Sequence, residues 1–474
     1  MNAPVTTPPP ARTLGELRAS GHVALSVKAE LRANLLTLLA AGGPRFAGII
    51  GFDETVLPQL ERALLAGHDL VLLGERGQGK TRLARTLVSL LDPWTPYITG
   101  SELREHPYHP LTAHSRQLVA EAGDELPISW LAADERYAEK LATPDTSIGD
   151  LIGDIDPVKV AAGRSLGDPQ TVHYGLVPRA NRGIFVVNEL PDLAERIQVG
   201  LLNVLEERDV QIRGYALRLP LDLLMVVTAN PEDYTNRGRI ITPLKDRFGA
   251  EIRTHYPLEL ADELALVRQE ADWALLEADA SLLPAHLLEV LVRFTRAVRS
   301  SPAVDSRSGV SARFTIAAAE TVAASAQRRA ALTGESPVAR IADLGSIVPT
   351  LRGKVEFEAG EEGRELDVLA HLLRKATHEV FRVRLGGADL GGFTERIATG
   401  EPIASGDVTS AAELLAALGP VSGLAKLMGR LGMSDSESPG HAAAAAEFAL
   451  EGLYLGRKIS KQVDGGGRAT YSAA

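Results

Sequence analysis

The eight residues Gly74–Glu75–Arg76–Gly77–Gln78–Gly79–Lys80–Thr81 carry the clearest chemistry in this 474-residue sequence. They fit G-x-x-x-x-G-K-[ST], the pattern of a loop that wraps phosphates. The glycines let backbone N–H groups turn inward onto an anion, and the start of a following helix adds partial positive charge at the same place. Lys80 is placed to reach the β- and γ-phosphates of a nucleotide, and the Thr81 hydroxyl to ligate Mg2+. The flanks agree. Asp69–Leu73 is a short apolar run that suits a strand buried on both faces, and Leu83, Leu87 and Leu90 then follow at helical spacing. The ligand these residues predict is ATP with Mg2+.

Phosphoryl transfer also needs a polar group near the metal and the attacking water, at the end of a neighbouring strand. Ile184–Phe185–Val186–Val187–Asn188–Glu189 has that shape, four apolar residues and then a polar pair. Glu189 is placed to orient the water, and Asn188 stands where an aspartate usually assists Mg2+. An amide there keeps the acceptor oxygen and loses the negative charge. A third strand end, Val226–Val227–Thr228–Ala229–Asn230, offers an Asn that can hydrogen-bond the water or the γ-phosphate, although Asn230–Pro231 is also a good turn dipeptide.

Arginines complete the set. Arg247 lies in Asp246–Arg247–Phe248, just before the last core strand, with Arg237 and Arg239 nearby, and Arg313 lies in the helical region beyond. An arginine inserted at a γ-phosphate contributes about 10³–10⁵ in rate, usually from a neighbouring molecule. A lone arginine is more often a surface group with a weak ion pair. His106, His109 and His114 lack ligand spacing and any Cys partner, and Asp150, Asp154 and Asp156 lack the loop that wraps Ca²⁺; both groups read as solvated loop and turn.

Positioning these residues requires alternating strands and helices. Apolar runs at 70–73, 184–187 and 223–228, with another strand expected at Glu251–His255, alternate with helical patterns up to about residue 257. That alternation predicts an α/β core with a parallel sheet and right-handed crossovers. Pro191 is expected in the first turn of a helix carrying Leu193, Ile197, Leu201 and Leu205. Val210–Leu219 reads as a β-hairpin with Gly214 at the first central turn position. After Pro257 helical patterns dominate, ending in an Ala-rich helix at His441–Leu455 and a Gly-rich tail. The expected organisation is a disordered tail over 1–12, the α/β nucleotide-binding domain with N-terminal helices over 13–257, an all-helical lid over 258–350, and a helical extension with a flexible tail over 351–474.

Composition bounds the rest. The chain is 45% hydrophobic and 23% charged, and it contains no cysteine, which excludes disulfides and thiolate metal sites. A net charge of −11 argues against a broad nucleic-acid footprint. No stretch approaches the ~20 consecutive apolar residues of a membrane span, and the Pro- and Thr-rich start lacks the features of a signal peptide. A cytoplasmic protein is expected.

Taken in order, the loop, the strand-end pair, the strand-end Asn and the two arginines resemble the AAA+ ATPases, and within them the magnesium-chelatase I subunit and the related MoxR ATPases. The resemblance spans roughly Phe46 to Ala326. Ala47–Gly48–Ile49–Ile50–Gly51–Phe52 is similar to the segment that opens the family's nucleotide domain. Leu151–Asp156, His173–Leu176 and Arg182–Ile184 resemble its insert within helix 2 and the return to the Walker B strand. The hairpin Val210–Leu219 resembles its insertion before the sensor-1 strand. The resemblance makes Gly74–Thr81 Walker A, Asn188–Glu189 Walker B, Asn230 sensor 1, Arg247 the arginine finger and Arg313 sensor 2. It implies a P-loop AAA+ core with a helical lid, a hexameric ring of this chain with ATP at its interfaces, and a separate partner protein carrying a von Willebrand A domain. It also implies ATP turnover coupled to remodelling that partner or to metal insertion. Asn188 departs from the usual aspartate, and nothing after about residue 350 is recognised.

Two other readings follow from the same residues. Asn188 motivates a nucleotide-gated scaffold that binds ATP with little or no hydrolysis. A nucleic-acid motor or transcription activator is opposed by the net charge and by the lack of a helix-turn-helix pattern or a GAFTGA loop.

Overall fold

The computed structural model describes residues 7–474 except 157, 159–160, 162–170, 207–209, 213–214, 218, 232–238, 274, 276–281, 306–308, 435–437 and 466. The chain divides into two compact units, Met1–His255 and Tyr256–Ala474.

The first unit is built on five parallel strands: β1 (Leu70–Leu73), β2 (Tyr137–Leu141), β3 (Gly183–Asn188), β4 (Leu223–Ala229) and β5 (Ala250–Arg253). Their order across the sheet is β5-β1-β4-β3-β2. The apolar runs are continuous because both faces are covered. Leu70, Leu72, Ile184, Val186, Leu224 and Val226 point into one core, with residues from the helices Val27–Ala41, Val56–Leu65 and Lys80–Thr86. The alternate residues Val71, Leu73, Phe185, Val187, Met225 and Val227 enter a second core, with Ile197, Leu201 and Val204 from Glu195–Glu206. This period of two is the pleat of a sheet sandwiched between helices. It is the α/β core with a parallel sheet that the sequence predicts, and an extensive helical region follows it.

Details differ from expectation. Pro191 sits in a separate 3₁₀ turn, Leu190–Asp192, and the α-helix begins at Glu195, because the chain leaves β3 through a left-handed residue. The hairpin pairs Val210 with Leu217 and Ile212 with Tyr215, with the expected turn at Arg213 and Gly214. Their own conformation lies outside the described residues. The N-terminal stretch is anchored at its end. Trp130 Nε1 donates to Ala11 O at 2.8 Å, and the Ile128 amide to Arg12 O at 2.9 Å.

The second unit packs the helices Ala285–Arg299, Ala312–Thr333, Glu365–Leu385 and Pro439–Leu455 around one core. Small residues on Ala312–Thr333, among them Ala318, Ala319, Ala323 and Ala326, are fully buried there. The unit also holds a small antiparallel sheet of β6 (Ile403–Ser405), β7 (Ser460–Val463) and β8 (Ala469–Ser472), in the order β6-β8-β7. Strands β7 and β8 pair on either side of the Gly-rich stretch. Helix, strand, helices and hairpin in this connectivity form a winged-helix arrangement. The helix before the hairpin, however, is buried along most of its length, with His441, Ala443–Leu450 and Leu453 all covered.

Candidate functional site

The register of the sheet brings the chemistry-bearing residues together. Leu73 pairs with Ala229 on one side and Arg253 on the other, so Gly74 leaves the sheet between Asn230 and Thr254. Val187 pairs with Val227 and Leu141 with Asn188, which places Asn188 beside Thr228. All of these positions lie at the carboxyl ends of parallel strands, where α/β sheets bind ligands.

The loop after β1 is held from inside. Gln78 is buried, and its Oε1 accepts from the Glu75 amide at 2.9 Å and from Thr254 Oγ1 at 3.0 Å. Only glycine fits at 74, since a Cβ there would stand 2.0 Å from Thr254 Oγ1. Gly77 and Gly79 take φ of 73° and 75°, the left-handed turns that direct successive amides inward. Glu75 and Gly77 are half-buried, while Arg76 and Gly79 are exposed at the loop's rim.

Lys80 opens the helix Lys80–Thr86, and its buried ammonium donates to Gly74 O, to Glu75 O at 2.9 Å and to Asn230 Oδ1 at 2.8 Å. Next to it, Thr81 Oγ1 donates to Asn188 Oδ1 at 3.2 Å. Thr228 Oγ1 donates to the same amide oxygen at 3.4 Å and accepts the Glu189 amide at 3.0 Å. Glu189 itself is half-buried with φ 56° and ψ 50°, the left-handed region that residues with a Cβ seldom occupy. Lys80 is thus bonded directly to Asn230 and Thr81 to Asn188, and Glu189 is linked to Asn188 through Thr228.

This donor set fits a magnesium nucleotide. The ammonium already sits among oxygen acceptors, which phosphate oxygens can replace, and the loop presents amides with no side chain in front of Gly79. Mg2+ takes hard oxygen ligands and usually needs only one or two from protein, the rest coming from phosphate and water. Thr81 Oγ1, backed by Asn188, matches that need. Among the described residues no three His, Asp or Glu side chains group to hold a metal without such help.

The predicted arginines lie on other elements. Arg247 ends the helix Thr242–Arg247, exposed, with Asp246 at 3.4 Å. Arg239 is exposed as well, and Arg237 lies outside the described residues. Arg313 belongs to the second unit, exposed in the first turn of Ala312–Thr333. Among the described residues the histidines belong to no group of three or more side chains that could hold an ion. His106 Nδ1 accepts the Tyr108 amide at 3.0 Å, so its proton sits on Nε2, which faces His22 Nε2 at 3.2 Å. A cavity of about 440 Å³ lined by Lys28, His106, His109, Arg182 and Asp222 lies at the opposite, amino ends of β3 and β4.

Thr228 and Thr254 are the parts that sequence reasoning missed. Thr228 is the penultimate residue of β4 and Thr254 directly follows β5, so their position two residues before Asn230 and one after Arg253 was the available signal.

The Sigma-54 interaction domain family matches residues 164–246, which include Asn188, Glu189 and Asn230. The chloroplast magnesium-chelatase subunit ChlI of Nicotiana tabacum is 28% identical over 271 residues, 54% of this chain and 60% of that protein. ChlI of Cyanidium caldarium is 28% identical over 239 residues, 48% of this chain and 62% of that protein. The match therefore spans about three-fifths of the length of these curated relatives. Among solved structures, a complex of the magnesium-chelatase subunits BchI and BchD aligns with a TM-score of 0.35 at 21% identity, covering 68% of this chain and 97% of that one. NtrX of Brucella abortus aligns with a TM-score of 0.37 at 12% identity, covering 75% and 66%. The chain carries an AAA+ ATPase domain related to those of magnesium chelatase, at low identity and over part of its length.

Proposed function

We propose that this chain binds MgATP at Gly74–Thr81 and hydrolyses it, as a ring-forming AAA+ ATPase of the magnesium-chelatase I subunit and MoxR kind. The observation that carries the reading is the convergence of Lys80, Thr81, Asn188 and Asn230 at the ends of three adjacent strands.

In this reading the inward amides and Lys80 hold the β- and γ-phosphates. Bound Mg2+ would neutralise phosphate charge, and Thr81 Oγ1 and Asn188 are the protein oxygens placed to hold it. Glu189 orients the attacking water and Asn230 contacts the γ-phosphate, so that the loss of that phosphate is felt through Lys80. Arg247 and Arg313 are assigned to stabilise the transferred charge, with a neighbouring copy of the chain supplying Arg247 across a hexameric interface. Turnover then remodels or activates a protein partner, of which a von Willebrand A domain protein is the expected kind and metal insertion one outcome. The domain limits 13–257 for the nucleotide domain, 258–350 for the lid and 351–474 for the extension belong to the same proposal.

Asn188 supports a second reading, a nucleotide-gated scaffold with little or no hydrolysis. A nucleic-acid motor is disfavoured by the net charge of −11 and by the burial of the helix Pro439–Leu455, which leaves no free recognition face. Among the described residues no helix is long and apolar enough to cross a membrane.

Steady-state ATP hydrolysis and equilibrium nucleotide binding by the purified chain, with Lys80→Ala beside it, test the proposal. Turnover and binding that both collapse in Lys80→Ala support it. Tight binding without turnover favours the scaffold, and no nucleotide binding at all overturns both.

A further inference from the structure

We infer that Thr228 is a positioning residue for hydrolysis, holding the Glu189 backbone in the left-handed turn that aims its carboxylate. The inference rests on the proposed role of Glu189.

The backbone supplies the reason. In a continued parallel strand, the amide after Asn188 would pair with the main chain of β4. Here the ladder between β3 and β4 has its last paired residues at Val187 and Val227, and the Glu189 amide goes to the Thr228 hydroxyl at 3.0 Å instead. On the other edge, Asn188 O accepts the Ala142 amide at 2.8 Å, so the strand is still pinned one residue before the turn. Glu189 O then accepts the Asp192 amide at 3.0 Å, closing the 3₁₀ turn Leu190–Asp192. Between these two fixed points Glu189 has φ 56°, where a side chain crowds its own backbone. A conformation of that kind persists only when its surroundings over-determine it, and such residues cluster where strain serves the mechanism. Thr228 is the side chain that does so at the amide.

The hydroxyl also has a second bond with a direction. Because Oγ1 accepts from the Glu189 amide, its own proton goes to Asn188 Oδ1 at 3.4 Å, the oxygen that Thr81 Oγ1 also reaches at 3.2 Å. The metal-side threonine, the strand-end amide and the water-side glutamate are therefore connected through one buried hydroxyl. Thr228 is 2% exposed, so no water substitutes for it from bulk. Its hydroxyl bonds go to the strand-end pair Asn188 and Glu189.

Thr228→Val keeps the shape and removes the hydroxyl, and Thr228→Ser keeps the hydroxyl and removes the methyl. With a carboxylate displaced by about 1 Å, turnover falls on the order of 10²-fold. The expected result is kcat down by about tenfold to a hundredfold in Thr228→Val, with nucleotide affinity within about twofold of wild type, and near-complete recovery in Thr228→Ser. A merely structural threonine would instead change affinity and kcat together. The decisive comparison is the cycle with Glu189→Gln. If Thr228 acts through Glu189, Thr228→Val costs no further turnover once Glu189 is Gln, whereas independent effects multiply. Glu189-dependent turnover that Thr228→Val leaves unchanged, or effects that multiply, overturn this inference alone. Turnover indifferent to Glu189→Gln overturns it together with the assigned role of Glu189.

Discussion

The Lys80 ammonium and the Asn230 amide oxygen meet at 2.8 Å across 150 residues of sequence. Lys80 opens the helix after the phosphate loop and Asn230 directly follows β4, and the pairing of Leu73 with Ala229 is what brings them together. The bond makes a specific demand on the pair. Asn230→Ala leaves Lys80 with its two loop carbonyls and takes a donor away from the γ-phosphate. Turnover is expected to fall by about 10²-fold, the usual cost of one transition-state hydrogen-bond donor, with ATP affinity little changed. Asn230→Asp sets a carboxylate against that phosphate and should weaken ATP much more than ADP. Competition binding of the two nucleotides reads both effects.

Asn188 gives the second prediction. Its Oδ1 accepts from Thr81 and from Thr228, and a carboxylate at this position keeps both bonds. Asn188→Asp therefore restores charge without rearranging the site. The Mg2+ concentration for half-maximal turnover should fall, and kcat should rise. Asn188→Ala, which removes the acceptor, should move both the other way. A magnesium titration of ATPase activity measures the pair.

Arg136 and Glu30 tie the N-terminal helix Val27–Ala41 to the sheet. The guanidinium meets the carboxylate bidentately at 2.6 and 2.7 Å, donates its Nε–H to Arg182 O at 2.7 Å, and is fully buried. Removing one partner strands a buried charge. Arg136→Met is expected to cost about 3–5 kcal/mol and to lower Tm accordingly, while Arg136→Met with Glu30→Leu recovers much of the loss. Denaturant unfolding followed by the tryptophans checks the cycle.

The buried histidines set a pH dependence. Burial lowers His106 from 6.5 to about 3, helped by the Arg182, His22 and His109 charges, and burial lowers His286 likewise to about 3, with Arg384 and His441 adding. An unfolded histidine binds its proton near pH 6.5, but these two in the folded chain wait until about pH 3. Between those values the unfolded state holds more protons, so stability is complete above about pH 6.5 and is lost as pH falls. Each group contributes a slope of about 1.4 kcal/mol per pH unit in that window. Among the described residues His286 has no hydrogen-bond partner on either ring nitrogen, and it packs against Phe448 at 4.7 Å, so His286→Phe should flatten the acid limb with little loss of stability at pH 7.5. Unfolding midpoints from pH 4 to 8 test this.

The parts of the site that could be read from sequence were those that chemistry makes invariant in spacing. Gly74–Thr81, Glu189 and Asn230 announced themselves because each follows an apolar strand buried on both faces. Strand β2 did not, since Glu139 and Lys140 interrupt its apolar character at the sheet's edge, where one side is left uncovered. The C-terminal sheet stayed hidden for a related reason. Its strands are three or four residues long, Ser460–Lys461–Gln462 is wholly polar, and short strands of this kind are specified by their tertiary neighbours, not by periodicity. Thr228 was illegible because its importance lies in which amides its hydroxyl faces, a matter of register between β3 and β4 that no single segment encodes.

The order of the core sheet also constrains how the chain comes off the ribosome. Strand β1, which carries the phosphate loop, has both its neighbours in residues 223–229 and 250–253, some 150 positions downstream. At ~5–20 residues per second, roughly 8 to 30 seconds of synthesis pass before the first of those neighbours exists. Throughout that interval Leu70–Val71–Leu72–Leu73, four residues that end up almost wholly covered, must be kept from other nascent or misfolded chains. The segment on which nucleotide chemistry depends is thus the one most exposed to kinetic loss, and holdase chaperones that shield short apolar strands are expected to govern the yield of this protein more than its final stability does.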